Sequence, residues 1–360
     1  MAEPLISVLM PAFNRERFIG AAVDSVLGQT HRDFELVIVD DGSTDRTVEI
    51  AGASGDPRIR ILRHEQNRGI SDARNTALEA ARGRFIAWLD SDDLARPTRL
   101  AEQLRFLETN PHIAMVGASA GKVDEDGGTR LGVRVPPLGH DEIRAWLLFR
   151  TAFQQSSVFG RAEVLKRFPY AAQLAVCEDI DVFIRVTREH RVANLSRVLI
   201  DRRLHSGQAV RTRQQQILET KKVQIGSLLD ELGVQFGPDD LVRHIMLGSG
   251  GLLGLKADRA YLDWAEPWLR RLRDANRASR LIEPSAMEMA LSYFWVRACR
   301  RAMKQGGKAW VLARALRSEL SRNVMNHRGR NWLGETLRLN AGSLEAPLAG
   351  AAKPKPRQSR

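Results

Sequence analysis

Residues 84–100 read RFIAWLDSDDLARPTRL. Phe85 to Leu89 form an apolar run suited to a buried strand, and a helical pattern resumes past Pro97. Between them Asp90, Asp92 and Asp93 fall within four positions. Two carboxylates separated by one residue project to the same side of an extended segment, so Asp90 and Asp92 converge. Like charges held that close need a cation, or one of them must take a proton. A hard divalent ion suits the pair, because it keeps waters and takes phosphate oxygens from a substrate. A turn in which Asp93 caps the next helix explains the same residues. Alone, the motif decides nothing.

The same grammar repeats on both sides of this stretch. LISVLM (5–10), FELVIVD (34–40), IRIL (59–62) and IAMVG (113–117) are further short strands. Helical patterns over about 44–53, 69–82 and 97–109, and through Phe18, Ala22, Val26 and Leu27, lie between them. This alternation predicts an α/β fold, a mostly parallel sheet with helices on both faces. Ligands gather at the carboxyl ends of such strands. Pro11-Ala12-Phe13-Asn14 and VDDGSTD (39–45) sit at those ends, and Gly42 lets backbone approach a ligand closely.

Further on, VDEDGGTRLGVRV (123–135) reads as a hairpin and 139–149 as a helix. CEDIDVFIRV (177–186) opens another helix with Glu178 and Asp179 pointing in different directions, and Arg185 placed to pair with Asp181. DRRLHSGQ (201–208) sets Arg203 and His205 on one side of an extended segment. Asn67, Arg68, Gly69, Arg74 and Asn75 make a polar loop-to-helix stretch.

Composition narrows the function classes. Hydrophobic residues make up 43% of the 360, which is globular. Cys177 and Cys299 are the only cysteines, so a disulfide framework and a cysteine zinc site are excluded. That usage, with no signal-like N-terminus and no apolar run of about 20 residues, points to the cytoplasm. The sequon Asn194-Leu195-Ser196 is then a chance occurrence. A net charge of +12 asks for an anionic partner, yet no nucleic-acid motif accompanies it and aromatics are 6%. Past residue 209 the pattern turns helical and basic. Leu218, Val223, Leu228 and Leu229 mark one amphipathic helix and residues 286–304 another. The organisation expected is an α/β domain over 1–208, a helical region over 209–345 and a basic disordered tail over 346–360.

The ordered set SVLMPAFN, SVLGQT, FELVIVDDGSTD, NRGISDARN, RFIAWLDSDDLARPTRL, CEDIDVFIRV and RRLHSGQ resembles glycosyltransferase family 2, the inverting enzymes of the GT-A fold, over roughly residues 5–208. The resemblance implies a nucleotide-diphosphate sugar donor, most simply UDP-linked, and a glycan or lipid-linked acceptor. It implies that Phe13 stacks on the base, where the family often has Tyr, and that Asp41 bonds the base edge. Pro11, Asn14, Arg68, Arg74, Asp90, Ser91 and Arg203 would lie along the nucleotide and sugar. Asp92 with His205 would hold Mg²⁺ or Mn²⁺ on the diphosphate, and Asp179 would be the general base. Nucleic acid is not expected as a partner, whereas the basic helices suit peripheral contact with the inner face of the membrane.

The enzyme rival is a sugar nucleotidyltransferase, which normally carries a Gly-rich basic loop after the first strand; MPAFNRERF lacks one. A non-catalytic glycan-binding protein of the same fold is opposed by the joint presence of Asp90, Asp92 and Asp179. A dinucleotide oxidoreductase fails for want of G-x-G-x-x-G.

Overall fold

The structure, a computed structural model, describes residues 3–208, 212–249, 256–306, 308–322 and 330. β1 (Ile6–Ala12), β2 (Phe34–Asp40), β3 (Ile59–Arg63) and β4 (Phe85–Trp88) are parallel, in the order β3-β2-β1-β4. The crossovers carry α1 (Ile19–Leu27), α2 (Thr47–Gly52) and α3 (Ile70–Ala80). Every residue of β1 and β2 is buried. Alternation sends Leu9, Val37 and Trp88 into one apolar cluster and Val8, Leu36 and Ala87 into another. The sheet is therefore covered on both faces, as a near-continuous apolar strand requires.

The other half of the sheet is mixed. β8 (Phe159–Arg161) runs antiparallel to β4 and to β6 (Ile113–Val123), while β6 is parallel to β9 (Arg191–Arg203). β7 (Arg130–Arg134) closes the expected hairpin on β6. β5 (Leu94–Ala95) lies antiparallel to β9, with Leu94 opposite Asp201 and Ala95 opposite Ile200. Strands this short leave no periodicity to read. Yet β5 pins the acidic turn of residues 90–93 beside the end of β9, and α4 (Arg99–Thr109) follows. Asn194 is buried and its amide donates to the carbonyls of Pro137 and Ala152. The sequon is thus spent on structure.

α5 (His140–Leu147), α6 (Ala162–Leu165) and α7 (Glu178–Glu189) complete the α/β part. Beyond it come α8 (Gln214–Glu231), α9 (Pro238–Ser249), α10 (Arg259–Ser279), α11 (Pro284–Lys304), α12 (Lys308–Arg317) and α13 (Glu319–Arg322). Phe294 of α11 stacks on Phe149 with ring centroids 4.1 Å apart, and Trp146 lies 5.0 Å from the same ring. One apolar cluster runs without a break from Leu9 and Trp88 to Leu291 and Trp295. His244 of α9 supplies a polar clasp: its Nδ1 accepts from Trp268 Nε1 at 2.9 Å, so its Nε2–H donates to the Leu148 carbonyl at 2.7 Å. Burial holds that imidazole neutral, its pKa pushed down to about 4.

The apolar stripes of the basic helices are core faces. Trp268, Leu269 and Leu272 are buried, while Arg270 and Arg273 both reach Glu319. Val223 departs from the expected stripe: Leu218, Leu228 and Leu229 are buried, but Val223 is 75% exposed. Among the described residues no helix is long and apolar enough to cross a membrane. The tail 346–360 lies outside the described residues.

Candidate active site

The acidic turn is held by a closed set of hydrogen bonds. Ser156 Oγ lies 3.1 Å from Asp90 Oδ2 and 2.5 Å from Asp93 Oδ2, and it accepts the Asp90 backbone N–H at 3.2 Å. One hydroxyl has one proton to give. Shared between the two carboxyls, the hydroxyl makes its shorter contact with Asp93. Burial, then the charges of Asp92 and Asp90, push Asp93 well above the usual carboxylate range, with the Ser156 hydrogen bond opposing. Asp93 is not the helix cap that the sequence allowed, because α4 begins at Arg99; its other oxygen accepts the Arg203 backbone N–H at 3.1 Å. Asp92 keeps its charge. Burial opposes this, but the His205 hydrogen bond and the Arg15 guanidinium hold its carboxyl below the ordinary range.

Asp92 Oδ2 stands 2.9 Å from His205 Nε2 and 3.9 Å from Arg15 Nε. The His205 ring packs on Phe18 at 4.8 Å, and the Arg203 guanidinium sits over the same Phe18 ring at 5.6 Å. Arg203 is buried and donates to the Glu125 carbonyl, so it supports this wall from behind. Asp92 and His205 fit a hard divalent ion that draws its remaining ligands from water and phosphate. Among the described residues no group of three or more His, Cys, Asp or Glu could hold a metal unaided.

Arg74 of α3 is nine-tenths buried and turns inward. It donates to Asp90 Oδ1 at 3.0 Å and, in a short contact, to Glu178 Oε1. Glu178 and Asp179 open α7 from Cys177, whose φ of 57° is left-handed and whose carbonyl accepts from Gln224 Nε2 at 2.9 Å. As consecutive helical residues the two acids point apart. Glu178 is clamped by Arg74, whereas the half-buried Asp179 carboxylate accepts from its neighbour, the Ile180 N–H, at 2.9 Å. Burial raises both pKa values, with Arg74 opposing, and Glu178 reaches about 7. Asp181 pairs with Arg185 at 2.8 Å and stays outside this group.

At the ends of β1 and β2 the chain locks itself. Asn14, at φ 51°, donates its N–H to Ser43 Oγ at 2.9 Å and accepts the Thr44 N–H on Oδ1 at 3.0 Å. Pro11 is buried within β1 and Ser91 within the acidic turn, while Phe13 is 39% exposed at the mouth. Asp41 accepts from His64 Nδ1 at 2.7 Å and from the backbone N–H groups of Arg68 and Gly69 at 2.9 and 2.8 Å. A carboxylate offers about four acceptor sites, which leaves one on Oδ2. The close approach that Gly42 permits is to this loop rather than a ligand: a Cβ there would stand 2.6 Å from the Gln66 carbonyl carbon. The Arg68 side chain is over half exposed and reaches Asp72 at 3.3 Å.

Sequence reasoning missed Ser156, which lies far along the chain in a polar stretch with no motif of its own. It missed His64 for the same reason. The Arg74–Glu178 clamp joins residues 104 positions apart, and only the fold brings them together.

The comparisons place this architecture. A model described as "Glycosyl transferase family 2" matches residues 7–168. The putative glycosyltransferase EpsE of Bacillus subtilis is 33% identical over 52% of this chain and 68% of its own length. The Escherichia coli protein named UDP-Glc:alpha-D-GlcNAc-diphosphoundecaprenol beta-1,3-glucosyltransferase WfgD is 42% identical over 32% of this chain and 46% of its own. The structure of S. aureus TarS 1–349 in complex with UDP-GlcNAc superposes with a TM-score of 0.56 at 18% identity, covering 84% of this chain and 92% of that one. The fold is GT-A, with a helical region after it. The chain belongs to glycosyltransferase family 2. It is a glycosyltransferase, and the nucleotidyltransferase and non-catalytic readings give way.

Proposed function

We propose that the chain transfers a sugar from a UDP-linked donor to a hydroxyl of a lipid-linked glycan, inverting the anomeric centre in one displacement. The observation that carries this reading is the division of labour among the acids. Asp93 is tied to Ser156 and the Arg203 backbone, Asp90 and Glu178 are tied to Arg74, Asp92 faces His205, and Asp179 alone is left without a side-chain clamp. Asp92 and His205 would hold Mg²⁺ or Mn²⁺, which supplies positive charge to the leaving diphosphate. Asp179 takes the acceptor hydroxyl proton, and its raised pKa makes it a stronger base than an ordinary carboxylate. Phe13 offers the base a stacking face, with the free site of Asp41 beside it. WfgD, by its name, makes a beta linkage from UDP-Glc on a diphosphoundecaprenol acceptor, and TarS was crystallised with UDP-GlcNAc. Both support the choice of a UDP-linked donor, and the first supports the acceptor class.

Thermal shift tests the donor site. A preferred UDP-sugar is expected to raise the melting temperature with Mn²⁺ and much less with EDTA. Asp92→Ala should abolish the Mn²⁺-dependent part while leaving the unliganded melting curve in place. Equal Mn²⁺-dependent shifts in variant and parent would remove the metal from Asp92.

A lipid-linked acceptor also sets the place of work, the inner face of the membrane. With the stripes of α10 and α11 buried, contact falls to α12, where Leu312 and Leu316 are 53% and 70% exposed and Arg317 is exposed beside them. The full chain should sediment with anionic vesicles, less as salt rises. No sedimentation at low salt would leave these helices as packing elements only.

A further inference from the structure

Six basic side chains that the donor site does not use form one like-charged cluster, and two of them, Arg134 and Lys221, lie within reach of Asp179. Lys122 of β6 stands opposite Arg202 of β9, and Arg134 of β7 stands opposite Ala120, two residues from Lys122. Alternation puts all three on one sheet face, while Arg203, opposite Val123, belongs to the other. Arg150 joins them from the segment after α5, Arg297 from α11 and Lys221 from α8. Their fields overlap: Lys122 feels Arg134, Arg202, Arg150 and Arg297, and Lys221 feels Arg150 and Arg134. The carboxylate that reaches both Arg134 and Lys221 is Asp179.

All six side chains are half-buried, and among the described residues none forms an ion pair. Arg134 donates to the Thr151 carbonyl at 2.8 Å, and Lys221 donates to Ser249 Oγ at 2.6 Å. Those are neutral partners, which leave the charge standing. Burial first, then mutual repulsion, pushes Lys122, Arg134 and Arg150 below their ordinary pKa values. Like charges directly across a strand pair destabilise the sheet, and six recessed cations with one carboxylate in reach cost more. An anion in the recess removes both penalties. Arginine forks and lysines are the donor set for phosphate oxygens. The donor diphosphate is already assigned to the Asp92–His205 side.

We propose that Lys122, Arg134, Arg150, Arg202, Lys221 and Arg297 form a phosphate subsite for the acceptor, holding the diphosphate ester of a lipid-linked sugar so that its hydroxyl meets Asp179. This rests on the reading of Asp179 as the base. It also accounts for part of the +12 net charge without nucleic acid.

The test is calorimetric titration of the full chain in EDTA with inorganic pyrophosphate and with decyl diphosphate, comparing the parent with Arg150→Gln/Arg297→Gln. Both anions should bind the parent, and the double variant should weaken both about tenfold or more, as expected for lost charge-assisted bonds. Tighter binding of decyl diphosphate assigns the anion to a lipid; equal binding keeps the subsite and assigns it to phosphate alone. UDP with Mn²⁺ should bind parent and variant alike. Because the substitutions relieve repulsion, the unliganded variant should melt no lower than the parent, and pyrophosphate should raise only the parent's melting temperature. Equal anion binding in both proteins, or a matching loss of UDP binding, would overturn the proposal. Since binding is read without turnover, a chain that binds pyrophosphate but transfers no sugar keeps the subsite and loses the acceptor reading.

Discussion

Asp179→Asn is expected to lower turnover by about 10²–10⁴-fold, the usual loss when an acid–base group is removed, with UDP-sugar affinity nearly unchanged. Asparagine keeps the size of the side chain and an acceptor oxygen for the Ile180 N–H, so the local structure survives. What disappears is the capacity to take the acceptor proton. In the parent, burial raises the Asp179 pKa, with the charge of Asp90 adding to it and Arg74 opposing. The rate should therefore fall on the acid side at a higher pH than an ordinary carboxylate would give. The sign follows directly: only the deprotonated form is a base, and a raised pKa moves its loss upward. That limb should be absent from the residual activity of Asp179→Asn. Glu178→Gln should be milder, because Glu178 is occupied by Arg74. Rate and pH profile of the two variants decide the matter; a crippled Glu178→Gln beside a mild Asp179→Asn would make Glu178 the base.

Arg74→Met should destabilise the protein by about 3–5 kcal/mol, the range for stripping one partner from a buried ion pair. The substitution keeps the apolar stem against Trp88 and Tyr170, over whose rings the guanidinium lies at 5.9 and 5.2 Å. It leaves Asp90 and Glu178 without their cation. Glu178, with a pKa already about 7 while Arg74 pulls it down, would rise further and fold as the neutral acid. Urea unfolding at pH 7 measures the loss. Arg74→Met/Glu178→Leu should regain part of it, since the double change removes a stranded carboxyl as well. A single variant as stable as the parent would show that Arg74 is not the clamp. The sequence placed Arg74 near the nucleotide or sugar; the structure shows it reaching inward to Asp90 and Glu178.

Much of this was legible beforehand, for physical reasons. Buried parallel strands are continuous apolar runs, so β1, β2 and β4 announce themselves, and their acidic ends mark the site. The resemblance rested on residues fixed by local chemistry: Asn14 in a left-handed turn, Gly42 where a Cβ would collide, and the paired acids of the turn. Two kinds of information were out of reach. Strands of two or three residues, such as β5 and β8, carry no period, yet β5 is what brings Asp92 to His205. Long-range polar partners leave no local signature either. Ser156 ties Asp90 to Asp93, and it lies 66 residues from Asp90. In the helical region the periodicity was real but silent about what covered it. The stripe of α10 faces the core, and Val223, which fits a stripe on paper, faces outward.

The account stands or falls on a single displacement with Asp179 as base and no enzyme nucleophile. The most direct measurement is proton NMR of the anomeric centre in the product formed from an α-linked UDP-sugar. Attack from the face opposite the diphosphate predicts a β-glycoside from the first turnover onward. An α-glycoside would contradict the assignment of Asp179 and the mechanism built on it.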